Sequence, residues 1–169
     1  MKIKILICFF FIFSIHTIVW DPIYKYNIMK ELFPNMDYYA FSLLYWECQK
    51  QKADINEIMP IPQKETNWIN TSRNGHDWSV YQINEYQIWQ RGQRCEQYMD
   101  LKIATPVAVS IWLSAKKKAK GNMRNALAYY NAGENYNLNN YTHWNDYVEP
   151  IMKDYDKVCA VDNKAILIK

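Results

Sequence analysis

The stretch TPVAVSIWLSAKKKAKG, residues 105–121, decides the fold class. Thr105 offers a side-chain oxygen suited to capping a helix N-terminus, and Pro106 suits the first helical position, where no N–H is required. Val107, Ile111, Trp112 and Ala115 follow at helical spacing as far as Lys120, and Gly121 stops the run. The pattern predicts a buried central helix from Thr105 to Lys120. Lys116, Lys117, Lys118 and Lys120 then read as a solvated helix end whose charge complements the macrodipole.

Working outward, Tyr39, Phe41, Leu43, Leu44 and Trp46 are too densely apolar for a strand facing water, so a mostly buried helix is expected over 37–51. A short helix is expected from Asn125 to Tyr130, closed by Gly133, and a last one from His143 to Val158. Between Asn67 and Gln82, Asn, Thr, Ser, Gly and Asp break both periodicities, which predicts a loop or small β-ribbon. The class is mainly α with a small β or loop element, in a single domain.

A chain of 169 residues, half of them apolar, buries a real core and is neither disordered nor repetitive. With 20 basic and 17 acidic residues, its net charge of +3 gives no electrostatic case for nucleic acid. The aromatic content is high: seven Trp and fourteen Tyr fit a groove that stacks on flat ligand faces, sugars included. Lys2 and Lys4 precede an apolar run from Ile5 to Phe13, which reads as a signal peptide or signal anchor over 1–20. A variable segment over 21–36, a catalytic domain over 37–158 and a tail over 159–169 complete the expected layout. Export would leave Cys48, Cys95 and Cys159 in an oxidising compartment with three possible pairings, of which the helix order favours Cys48 with Cys95. His16, His76 and His143 lie far apart, and no spacing resembles a metal site.

Three short segments carry the candidate chemistry: Lys64–Trp68, Asp77–Asn84 and Ala126–Gly133. Glu65 is the candidate general acid, because a carboxyl in an aromatic-lined cleft stays protonated to higher pH when burial disfavours its charge. Trp68, Tyr81 and Tyr130 are the expected lining. Asp77 is the one other carboxylate inside these segments, and it reads more simply as the start of an Asx turn.

The order and spacing of these segments resemble those of the lytic transglycosylases, cell-wall enzymes with a lysozyme-like fold. Glu65-Thr66 resembles the family's Glu-Ser pair, Ser79-Val80-Tyr81-Gln82-Ile83 its Gly-Leu-Met-Gln-Ile segment, and Tyr129-Tyr130-Asn131-Ala132-Gly133 its Ala-Tyr-Asn-Ala-Gly segment. Tyr147-Val148 is similar to a fourth, weaker mark. The departures are Thr66 for serine, Ser79 for glycine and Tyr129 for alanine; Ser79 is expected to bring a side chain to the groove. Pro60 and Pro62 stand where the family's helix runs uninterrupted, and Pro62 is expected to open a shorter helix.

The resemblance implies cleavage of the MurNAc–GlcNAc β-1,4 bond with formation of 1,6-anhydro-MurNAc. It implies one catalytic carboxylate, Glu65, with Thr66, Ser79, Tyr81, Gln82, Ile83, Tyr130, Asn131 and Tyr147 in contact with substrate. No cofactor or metal is expected. The implied partner is the peptidoglycan glycan strand, met in the periplasm or cell envelope, and a small domain fits local wall opening for a secretion, conjugation or flagellar apparatus. A hydrolytic lysozyme using water as nucleophile is the rival within the fold, and a non-catalytic peptidoglycan-binding module is the rival from another class. A secreted glycoprotein is a weaker reading, resting on the sequons at Asn70 and Asn140.

Overall fold

The structure is a computed structural model that describes residues 22–70 and 73–167. The expected signal segment lies outside these residues. Among them no helix is long and apolar enough to cross a membrane. The fold is mainly α, with one very small sheet.

Helix α1 covers 22–32, inside the segment expected to be variable. Its Met29 is fully buried, as is Phe33 just beyond it, so the segment belongs to the core. Helix α2, Tyr38–Gln51, begins where Asp37 accepts from Ala40 N at 2.7 Å and ends at Lys52 in left-handed conformation. Two short helices follow, α3 (Ile55–Ile58) and α4 (Pro60–Thr66). Pro60, not Pro62, opens α4. Both prolines sit in its first turn, where the N–H groups have no partner within the helix, so neither removes a bond.

Strands β1 (Arg73–Asn74), β2 (Asp77–Trp78) and β3 (Ile83–Asn84) form an antiparallel sheet in that order, with Asp77 paired to Asn84 and Trp78 to Ile83. The expected ribbon is present and continues past Gln82. Asn84 ends β3 and caps α5, Glu85–Trp89, by accepting from Tyr86 N. A 3-10 turn over Cys95–Met99 leads to the central helix α6, Leu101–Lys118.

Helix α6 starts earlier than residues 105–106 suggest. Its cap is Asp100, which accepts from Lys102 N at 2.9 Å. Thr105 is turned into the core, where its hydroxyl meets that of Tyr81 at 3.2 Å, and Pro106 lies inside the helix. Ala104, Ala108 and Ala115 share the buried side with Trp112; small residues there let α2 and α7 approach closely.

Helix α7, Met123–Ala132, is capped by Asn122 and closed by Gly133, two residues longer at each end than expected. A π-helical turn, Trp144–Val148, runs into α8, Glu149–Leu167. The expected tail over 159–169 is therefore helical through Leu167, and Val158, in the middle of α8, is fully buried.

Cys48, Cys95 and Cys159 are free, so the expected Cys48–Cys95 disulfide is absent. Cys48 is buried among Asp54, Glu57 and Glu47, and burial first, then these carboxylates, push its thiol up to about 12. Cys95 lies in the 3-10 turn near Tyr98. The two thiols have different surroundings, although α2 and α6 do pack together.

Candidate active site

Glu65 is the penultimate residue of α4. The chain turns sharply just after it, because Asn67 and Trp68 both take left-handed backbone angles. Asn67 N and Trp68 N bond back to the carbonyls of Gln63 and Pro62, which closes the helix end and fixes the direction of the Glu65 side chain. Thr66 ties this end to the next segment: its hydroxyl lies 3.2 Å from both Pro62 O and Val80 O.

That segment makes a tight turn at 79–82. Ser79 (φ 67°) and Gln82 (φ 47°) are both left-handed, a conformation that glycine adopts without cost, which accounts for a glycine-like position at Ser79. Gln82 N and Nε2 both donate to Ser79 O, at 3.2 and 2.8 Å. Ser79 itself is fully buried, its Oγ accepting from Tyr81 N at 3.3 Å. It does not enter the groove.

Glu65 opens into a cavity of about 410 Å³ whose polar walls include Asp77, Gln82, Asn84, Gln87 and Asn131. Ile83, Tyr130 and Gly133 also line it. Tyr130 is held in place by its hydroxyl, which donates to Tyr81 O at 3.2 Å, and Asn131 accepts from the Tyr141 hydroxyl at 3.0 Å. Gly133, with φ +89°, closes α7 in a conformation that a side chain would strain.

On its inner side Glu65 Oε1 accepts a 2.6 Å hydrogen bond from the Tyr147 hydroxyl. Tyr147 belongs to the π-helical turn, in which Val148 N reaches back five residues to His143 O, and such turns often re-aim a side chain at a functional site. Burial pushes the Glu65 carboxyl up to about 7, and the negative charge of Asp77 adds to the rise. The Tyr147 hydrogen bond and the Lys64 ammonium oppose it. At neutral pH a group with this value divides between acid and carboxylate, so the same side chain can give a proton and later accept one.

The structure brings Glu65, Gln82, Ile83, Tyr130 and Asn131 to one cavity. It separates the other expected contacts from it. Thr66, Ser79 and Tyr81 are not in the lining, and Tyr147 acts behind Glu65. Trp68 and Tyr81 were expected as lining and are instead core residues, 3% and 0% exposed.

Asp77 lies in β2 and lines the cavity, where it accepts from Asn84 Nδ2 at 2.9 Å; it does not start an Asx turn. Asn84, the last residue of the second segment, joins the lining, as do Tyr86 and Gln87 from outside the three segments. The one sequence signal for Tyr86 and Gln87 is that they continue the Gln82-Ile83 segment into the start of a helix. Among the described residues, no group of three His, Cys, Asp or Glu side chains forms a metal-ligand set.

Comparison with protein families, curated proteins and solved structures finds no match to this chain.

Proposed function

We infer that this chain is a peptidoglycan lytic transglycosylase with a lysozyme-like fold. One observation carries the reading: the Glu65 carboxyl, raised to about 7, opens into a cavity that two further sequence-distant segments, 77–84 and 130–133, also line. Those are the three segments whose order resembles the family's.

In the reaction, protonated Glu65 gives its proton to the oxygen of the MurNAc–GlcNAc bond as the anomeric C–O bond breaks. The substrate's N-acetyl group stabilises the electron-poor anomeric carbon. Glu65, now a carboxylate, takes the proton of the MurNAc 6-hydroxyl, whose oxygen bonds to the same carbon and yields the 1,6-anhydro sugar. An intramolecular nucleophile is already positioned, so no second catalytic carboxylate is needed. On this reading the protein works in the periplasm or cell envelope, where it opens the wall locally for a secretion, conjugation or flagellar apparatus.

Mass spectrometry of muropeptides released by the protein tests the reading. Products lighter by one water than reducing-end sugars support it, and absence of any release overturns it. A second reading, the hydrolytic lysozyme, is favoured by one feature: Asp77 faces the same cavity as Glu65. Two carboxyls on either side of a sugar are the ordinary arrangement for a water nucleophile. Reducing-end products together with loss of activity in Asp77→Asn would select it.

A further inference from the structure

Tyr141 lies outside the three motif segments and does not line the Glu65 cavity, yet it is bonded to a residue that does. It follows a 3-10 turn, Leu138–Asn140, and its N–H donates to Leu138 O at 3.1 Å. Three rings pack edge-on against its own: Tyr136 at 6.2 Å between centroids, His143 at 5.8 Å and Trp144 at 4.9 Å. Edge-to-face packing on this scale fixes the plane of a ring. The side chain is buried, and its hydroxyl reaches Asn131 Oδ1 at 3.0 Å.

A carboxamide has two unlike ends, one accepting and one donating, and the end that faces a cavity decides what the cavity binds. Among the described residues Asn131 Oδ1 is the one acceptor for the Tyr141 hydroxyl, so the phenol hydrogen holds the oxygen end of the amide toward Tyr141. Burial, then the negative charges of Asp146 and Glu65, push this phenol above its ordinary value, so it keeps its proton and goes on donating. Asn131 Nδ2 bonds to no described residue and is the end left to the cavity. Two other amides in the lining are already engaged: Gln82 Nε2 donates to Ser79 O at 2.8 Å and Asn84 Nδ2 to Asp77 Oδ1 at 2.9 Å.

Resting on the function inferred above, we propose that Tyr141 is a positioning residue whose hydroxyl turns the Asn131 amide so that its N–H₂ group donates to an acceptor oxygen of the bound glycan. The two orientations of a carboxamide have the same shape, so packing alone does not choose between them. Without the hydroxyl the amide is free to rotate by half a turn. Its oxygen would then face the glycan oxygen, and two acceptors repel.

The test uses the Glu65→Gln protein, calorimetric titration and one probe, the tetrasaccharide GlcNAc–MurNAc–GlcNAc–MurNAc. Tyr141→Phe keeps the ring and its edge-to-face contacts and removes only the hydroxyl. It should weaken binding about fivefold, the worth of one neutral hydrogen bond. Asn131→Ala should weaken binding at least as much, and adding Tyr141→Phe to it should cost nothing further, because no amide is left to orient. A general loosening of the wall would cost the same in both backgrounds, and that result overturns the proposal. So does a Tyr141→Phe protein that binds the probe normally, or a Glu65→Gln protein that binds no probe at all.

With Glu65 intact, Tyr141→Phe should raise KM about fivefold and leave kcat within about twofold, the mark of a contact made equally before and at the transition state. A fall in kcat at unchanged KM overturns the proposal. Cleavage by the unaltered protein is scored separately. Coupled binding losses without cleavage remove the transglycosylase reading and leave Tyr141 as the positioning residue of a saccharide site, whereas cleavage with independent losses removes the role of Tyr141 alone.

Discussion

The Tyr147 hydroxyl donates to Glu65 Oε1 at 2.6 Å, joining the π-helical turn to the end of α4 across 82 residues of sequence. A donor to a carboxylate favours its charged form, so this bond holds the Glu65 pKa below the value that burial alone would set. Asp77 works in the opposite direction, because its own charge disfavours a second negative charge nearby.

The pH profile should report both effects. If protonated Glu65 is the acid, kcat/KM falls as pH rises through about 7. In Tyr147→Phe the lost donor raises the pKa, and this alkaline limb moves to higher pH. In Asp77→Asn the lost negative neighbour lowers the pKa, and the limb moves to lower pH. Limbs that shift in the same direction in both variants would show that Glu65 does not govern the profile.

Glu65→Gln should reduce peptidoglycan cleavage by about 10²- to 10⁴-fold, the usual contribution of a general acid. Its stability should behave in the opposite sense. A carboxyl raised from 4.5 to about 7 binds its proton more tightly when folded, so its contribution is fully present below 4.5 and is lost as pH rises to about 7. Above that pH the native protein carries a penalty of roughly 3 kcal/mol that the amide lacks. Urea melts at pH 5 and pH 8 should therefore show less pH dependence in Glu65→Gln.

Thr105→Val leaves the Tyr81 hydroxyl, in a side chain with no exposure, without its partner. The expected loss of stability is about 1–3 kcal/mol by chemical denaturation. Tyr81→Phe added to it should restore part of the loss, since both polar groups are then gone.

Ser79→Gly should leave kcat/KM within about twofold of the original, the scale of a change away from functional contacts. The serine side chain faces the core and binds Tyr81 N, while glycine suits the positive φ. A larger rise in activity would mean that Ser79 narrows the groove after all.

The helical class and the positions of α2, α6 and α7 were legible because α2 is too densely apolar for a strand facing water, α6 carries apolar residues at helical spacing and Gly133 closes α7. The start of α6 was not. Thr105-Pro106 has the chemistry of a helix start, but Leu101, Ala104, Thr105 and Ala108 lie on one buried face, and only Tyr81, distant in sequence, explains a buried threonine. The site was legible where a residue type has a chemical reason to be there, as with Glu65, Gln82 and Tyr130. It was not legible where direction depends on backbone angles: the left-handed turns at Ser79 and Gln82 send Tyr81 into the core while Gln82 reaches the cavity. Asn84 caps α5 and also lines the cavity, and only the structure shows both.

The π-helical turn over Trp144–Val148 makes the site sensitive to chain length as well as to side-chain identity. A π turn holds one more residue than an α turn, and each α-helical residue rotates the face by about 100°. Deleting Asn145 would convert the turn to ordinary α-helix; with the preceding residues held in place, Val148 would take the direction in which Tyr147 now points and Tyr147 would turn about 100° away. Glu65 would lose its hydroxyl partner with every named site residue still present. A substitution scan would leave that dependence undetected, whereas a scan of single-residue deletions through 143–149 would expose it.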